Sequence, residues 1–128
     1  MKVTRLYTNS DGRSAFEDIE IPLERVQEET FPGQKAEQSV SLRAPLAMII
    51  NETDPGHQYD WHNAPRKQWV ITLQGQIEVQ LRDGTLRRFG AGSLLLAEDL
   101  TGSGHATKVV STDSWRCAYV PFDGTVTL

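Results

Sequence analysis

Apolar residues in this chain fall on every second position rather than every third or fourth. The pattern is plainest in residues 76–82, Q-I-E-V-Q-L-R, where Ile77, Val79 and Leu81 share one face. A run of that period is a strand with one buried side. Gly75 precedes it and Asp83-Gly84 follows, and Asp-Gly between strand-like runs predicts a two-residue hairpin because both residues tolerate positive φ. Residues 85–89 are therefore expected to return antiparallel. Further strand-like stretches lie at 3–7, 16–21, 40–50 with Pro45 bending or breaking it, 68–73, 93–97, 106–110 and 115–120. Only residues 23–30 have a helix-friendly composition, and Pro32-Gly33 ends them, so at most a helical turn or two is expected. Many short strands in 128 residues predict an all-β sandwich or barrel, closed to protect its edges.

The length suits one core, so residues 1–128 are read as a single domain. The polar segment 32–38 reads as a loop, residues 121–124 as a turn and 125–128 as a short last strand. The longest apolar run, residues 46–50, is far too short to cross a bilayer, and no membrane partner is expected. The first residues lack the apolar stretch of a secretory signal, and lone Cys117 has no partner for an internal disulfide, which fits a cytoplasmic protein. With a net charge of -4 and no basic cluster beyond Arg66-Lys67 and Arg87-Arg88, nucleic acid is not an expected partner. Gly-x-Ser-x-Gly, Gly-x4-Gly-Lys and Gly-x-Gly-x-x-Gly are all absent, which leaves serine hydrolase, nucleotide hydrolase and Rossmann readings unsupported.

Residues 56–75 read G-H-Q-Y-D-W-H-N-A-P-R-K-Q-W-V-I-T-L-Q-G. The spacing of Gly56, His62, Ala64, Gln68 and Gly75 resembles the first motif of the cupins, G-x5-H-x-H-x3-E-x6-G. The second cupin motif, G-x5-P-x-G-x2-H-x3-N, is met in part by Gly84, Gly90 in the proline position and Gly92, with Leu95 at the histidine position. The run continues through F-G-A-G-S-L-L-L-A-E-D and G-S-G-H-A-T, and the whole is similar to small single-domain bacterial cupins with no assigned reaction. The resemblance implies a cupin-type jelly-roll β-barrel, and pairing into a homodimer through a sheet edge or an exchanged N-terminal strand such as residues 3–7.

In that family two histidines, a glutamate and a further histidine hold a divalent metal inside the barrel. Here Ala64 stands at the second histidine position and Gln68 at the glutamate position. The metal set that the resemblance implies for this chain is His62, Gln68 and His105, with His57 an outlying addition. Fe, Mn, Ni or Zn are candidate ions, bound more weakly than by a charged set, or no ion is held. His62 and His105 are equally candidates for acid–base catalysis without metal. If Gln68 faces the cavity, period two puts Thr72 beside it and sends Trp69 to the opposite face. Tyr59 and Trp61 near the mouth are candidates to stack on a small-molecule ligand, and Arg66 to clamp a carboxylate or phosphate. Glu98 and Asp99 end a strand near the expected cavity rim and read by default as solvated turn carboxylates, with a role as base the alternative for either, and Cys117 reads as a buried structural thiol. Two functions fit: an enzyme acting on a small polar metabolite by weak divalent-metal or histidine acid–base chemistry, or a non-catalytic ligand-binding or sensory module.

Overall fold

The computed structural model describes residues 1–25, 27–28, 32, 38–39 and 47–122. Its strands are β1 (Lys2–Thr8), β2 (Ser14–Glu20), β3 (Glu24–Arg25), β4 (Gln38–Ser39), β5 (Ile49–Thr53), β6 (Gln58–His62), β7 (Gln68–Gln74), β8 (Gln76–Gln80), β9 (Leu86–Gly90), β10 (Leu94–Ala97), β11 (His105–Val109) and β12 (Trp115–Pro121). No helix occurs among the described residues, and none is long and apolar enough to cross a membrane. A six-stranded sheet runs β2-β1-β10-β7-β12-β5 and a four-stranded sheet runs β6-β11-β8-β9. β1 joins β10 in parallel while its other neighbour, β2, is antiparallel, so β1 is bonded on both sides within its own chain.

Period two decides what lies between the sheets. Leu6, Val70, Leu95, Ala97, Trp115 and Cys117 from the larger sheet meet Ile77, Val79, Phe89 and Val109 from the smaller one in a single buried cluster. Residues of opposite parity, Val3, Ile19, Trp69 and Leu96, form a second cluster with Ile21 and Phe122. Trp69 thus lies on the face opposite Gln68, as alternation predicts, and packs against Phe122 with ring centroids 5.9 Å apart. Burying an aliphatic side chain as fully as Leu96, at 0 % exposure, contributes about 2 kcal/mol. It is the first cluster, shared by both sheets, that keeps the barrel's two walls together.

Several local expectations need correction. The hairpin after β8 forms, but its loop is Arg82-Asp83-Gly84 rather than Asp83-Gly84. Gly84 N–H donates to Leu81 O at 3.0 Å and Leu81 N–H to Thr85 O at 2.9 Å. Gly84 has φ of 90°, whereas no non-glycine residue among those described has positive φ, so Asp83 stays in an ordinary region. Its carboxylate instead accepts from the Thr85 side chain and from Thr85 N–H, the latter at 2.8 Å, and these bonds hold it below the usual carboxylate range. Residues 24–25, read as helix-friendly, form a two-residue bridge with Gln38–Ser39, because pairing across the chain outweighs a weak local propensity. The strand read at 40–50 begins, where described, at Ile49 and runs on to Thr53. Residues 40–46, most of the 32–38 loop, and 123–128 lie outside the described residues. β6 was not anticipated, because Gln58, Asp60 and His62 give it a polar face and little apolar signal.

Cys117 is fully buried, and burial raises its thiol from an ordinary value of 9.0 to about 11. Below pH 9 the thiol is neutral whether the chain is folded or not. Above it the unfolded chain releases the proton first, so stability should fall as pH rises from about 9 to 11, by about 3 kcal/mol in all. Burial raises the neighbouring Tyr119 phenol as well, which adds loss in the same direction. Urea unfolding at pH 8, 9.5 and 11 should show this decline, and Cys117→Ala should flatten the part that belongs to the thiol.

Candidate functional site

The space between the sheets is a cavity of about 360 Å³. Its walls are largely apolar, with Leu6, Val70, Ile77, Val79, Leu95 and Trp115 among them. Tyr59, His62, Arg66, Gln68, His105, Thr107 and Tyr119 add polar groups.

β6 and β11 bring the two histidines together. His105 is directly opposite His62 in the pairing, yet Thr107 is opposite Tyr59, so three steps on β6 match two on β11. This bulge turns both Tyr59 and His62 inward although they are not of the same parity. It leaves Trp61 outside the cavity, under the Arg82 guanidinium at 3.8 Å from the ring centre. A stacking role for Trp61 on a cavity ligand is therefore not supported by its placement. The approach of the strands also depends on Gly104, which has φ of 74° and where a Cβ would sit 2.5 Å from His62 O. The imidazole rings end 4.5 Å apart, centre to centre.

Each ring is anchored through Nδ1. His62 Nδ1 lies 2.6 Å from Asp60 O, a pure acceptor, so this nitrogen carries the proton. His105 Nδ1 lies 2.5 Å from Asp99 Oδ2. In the neutral form both rings therefore present Nε2 as a lone pair. Asp99 is the residue that sequence reasoning misread: it is 0 % exposed, not a solvated turn carboxylate. Oδ2 also accepts from Ser14 Oγ–H at 2.6 Å, and Oδ1 has no hydrogen-bond partner among the described residues. Extending the alternation of Leu95 and Ala97 by one step reaches Asp99, a signal present in the sequence. Nothing local marks Ser14, which comes from a strand 85 residues earlier. Glu98, of opposite parity, faces away and pairs with Arg5 at 3.2 Å and Lys67 at 3.5 Å.

Gln68 lines the cavity as predicted, and its Oε1 accepts from Arg66 Nη1 at 2.8 Å. Thr72 shares its face but does not line the cavity, because its hydroxyl is covered by Trp115, whose Nε1–H donates to it at 3.1 Å. Tyr59 OH bonds Thr53 Oγ1 at 2.8 Å. Tyr119, which carried no role in the sequence reading, reaches the wall with a phenol kept protonated by burial. His57 packs edge-on against Tyr59 at 4.6 Å and does not line the cavity.

These residues do not fit a resident divalent ion of the cupin kind. Ala64 has no donor atom, and the Gln68 oxygen is bonded to a cationic guanidinium. No group of three or more His, Cys, Asp or Glu able to hold an ion occurs among the described residues. A positive charge beside the Gln68 oxygen opposes a second cation there.

The fold is an all-β cupin-type jelly roll. The cupin domain of Cnp3 from Schizosaccharomyces pombe superposes with a TM-score of 0.50 at 16% identity, covering 96% of this chain and 83% of that one. A Cupin 2 conserved barrel domain protein from Salinispora arenicola gives 0.46 at 17% identity, covering 77% and 92%. A conserved protein of unknown function from Streptococcus pyogenes gives 0.45 at 15% identity, covering 61% of this chain and 65% of that one. No family model and no curated protein matches the sequence.

Ser14→Ala should destabilise the protein by about 2 kcal/mol in urea unfolding, since a buried bond to a carboxylate is lost. Asp99→Asn should in addition change the His105 tautomer, read by nitrogen-15 NMR of the ring.

Proposed function

We propose that this chain is a small-molecule enzyme that moves protons with His105 and needs no resident metal. The observation that carries the reading is the Asp99–His105 pair, buried behind the wall of a cavity into which the imidazole opens. Asp99 fixes the ring orientation and tautomer and stabilises the positive charge that arrives when Nε2 accepts a proton. A C–H or O–H bond of the substrate breaks, its electron pair stays on the substrate, and the N–H bond of His105 forms. His62, its ring centre 4.5 Å away, starts the cycle as the imidazolium and gives its Nε2 proton to another position of the substrate, while solvent reprotonates His62 and takes the proton from His105. The protonated Tyr119 phenol supplies a donor for developing negative charge on a substrate oxygen. Proton transfers of this kind belong to isomerases, epimerases and dehydratases.

A second reading, a non-catalytic ligand-binding module of the same small bacterial cupin type, is favoured by the largely apolar wall and by Ala64. In heavy water, small enolisable carbonyl probes such as dihydroxyacetone, acetylacetone and 2-oxobutyrate separate the two by proton NMR. The enzyme reading expects wild-type protein to accelerate exchange for at least one probe and His105→Asn to reduce it about 100-fold. Thermal stabilisation by the probes with no exchange would instead establish the binding module. After exposure to Fe(II), Mn(II), Ni(II) or Zn(II) and gel filtration, wild type should retain no more metal than the His62→Ala, His105→Ala double variant. Retention above that level overturns the metal-free mechanism.

We further propose a cytoplasmic homodimer formed through a sheet edge. β5 ends the larger sheet among the described residues and carries exposed Ile49 and Ile50, whereas β1 is bonded on both sides. Light scattering should give twice the chain mass, falling toward one chain in Ile50→Lys.

A further inference from the structure

We infer that the cavity takes a small monocarboxylate with an apolar body, its carboxylate seated on Arg66 and Gln68. This names the substrate class of the proton-transfer site and rests on that reading for which atom reacts, but the clamp is tested by itself.

The charge of the lining points to an anion. Arg66 is the one permanently charged side chain among the residues that line the cavity, and no carboxylate lines it, since Asp99 lies behind His105. Among the described residues no carboxylate pairs with Arg66. Its one described bond, from Nη1 to Gln68 Oε1, leaves the other guanidinium donors unassigned. The same bond fixes the Gln68 amide so that its Nε2 hydrogens remain as donors beside the guanidinium. Gln68 is 4 % exposed, and its amide has few alternatives to a ligand as acceptor. A planar carboxylate matches this array of in-plane N–H groups.

Number and size narrow the class. One guanidinium balances one negative charge, and no second permanently charged cation lines the cavity to meet the second charge of a phosphate monoester. Leu6, Val70, Ile77, Val79, Leu95 and Trp115 offer the rest of the ligand contact but no hydrogen bond into the cavity, Trp115 N–H being engaged by Thr72. The carboxylate's substituent is therefore largely apolar, apart from the atoms that meet the histidines and the Tyr119 phenol. At about 360 Å³ the space lies near the low end of ligand cavities, suited to a metabolite of aromatic-acid or short fatty-acid size.

The test uses matched probes: phenylacetate against phenylacetamide and hexanoate against hexanamide, with phenyl phosphate as the dianion, titrated by calorimetry. Wild type should bind at least one carboxylate about tenfold or more tightly than its amide. Arg66→Gln should abolish that preference, Arg66→Lys should restore part of it, and His105→Asn should keep it. Thermal unfolding of each variant checks that the fold is intact. Equal binding of acid and amide, an undiminished preference in Arg66→Gln, tighter binding of phenyl phosphate, or no binding of any carboxylate each overturns the inference. Because His105→Asn removes proton exchange but not the carboxylate preference, failure of the clamp and failure of the catalytic reading give different results.

Discussion

A carboxylate with no exposed surface is the constraint on which the site depends. A buried charge is costly unless donors meet it, and the donors that meet Asp99 come from Ser14, at the start of β2, and His105, at the start of β11. Those strands belong to different sheets, so satisfying one carboxylate ties the first hairpin to the cavity wall. The segment between β10 and β11 is tied down by further bonds of the same kind. Thr8 Oγ1 donates to Thr101 O at 2.7 Å, Asn63 Nδ2 to the same oxygen at 2.9 Å, and Ser103 N–H to Gly12 O at 2.9 Å. His105 is held by packing, backbone and charge at once. That is the rigidity a group needs if its Nε2 is to meet a reacting atom in one orientation.

The fold was legible because its signal is local and repeated. Alternation in β8 names its inward residues, and Gly75 and the Asp83-Gly84 turn place the reversals on either side of it. The site was legible only in part, for reasons that differ residue by residue. His62, Gln68 and Arg66 stand in a motif of fixed spacing, so their proximity follows from the frame. Trp61 was misplaced because a bulge is a departure from alternation that no pattern of two detects. Thr72 has the right parity but lies beneath an indole whose partner is 43 residues distant. Asp99 has the right parity too, yet acidic residues after a strand are usually solvated, and composition outweighed period. Ser14 has no local mark, because its role exists only after β2 has met the segment that follows β10.

The changes to the motif are coherent as electrostatics. In the cupin frame a glutamate at the Gln68 position and a histidine at the Ala64 position give a cavity that attracts a cation. Replacing the carboxylate by an amide removes the negative charge, and Arg66 Nη1 at 2.8 Å from that amide introduces a positive one. The charge of this pair is the opposite of the one a metal-binding frame presents, which is what the proposed anion preference rests on. Ala64 is buried in the cluster that joins the sheets, so this position offers packing and no donor atom. In the metal-free reading proposed above, proton transfer would fall to groups that act by position. The two imidazoles anchored through Nδ1 and the Arg66–Gln68 pair share one wall, which is the arrangement that the proposed reaction and the proposed clamp both require.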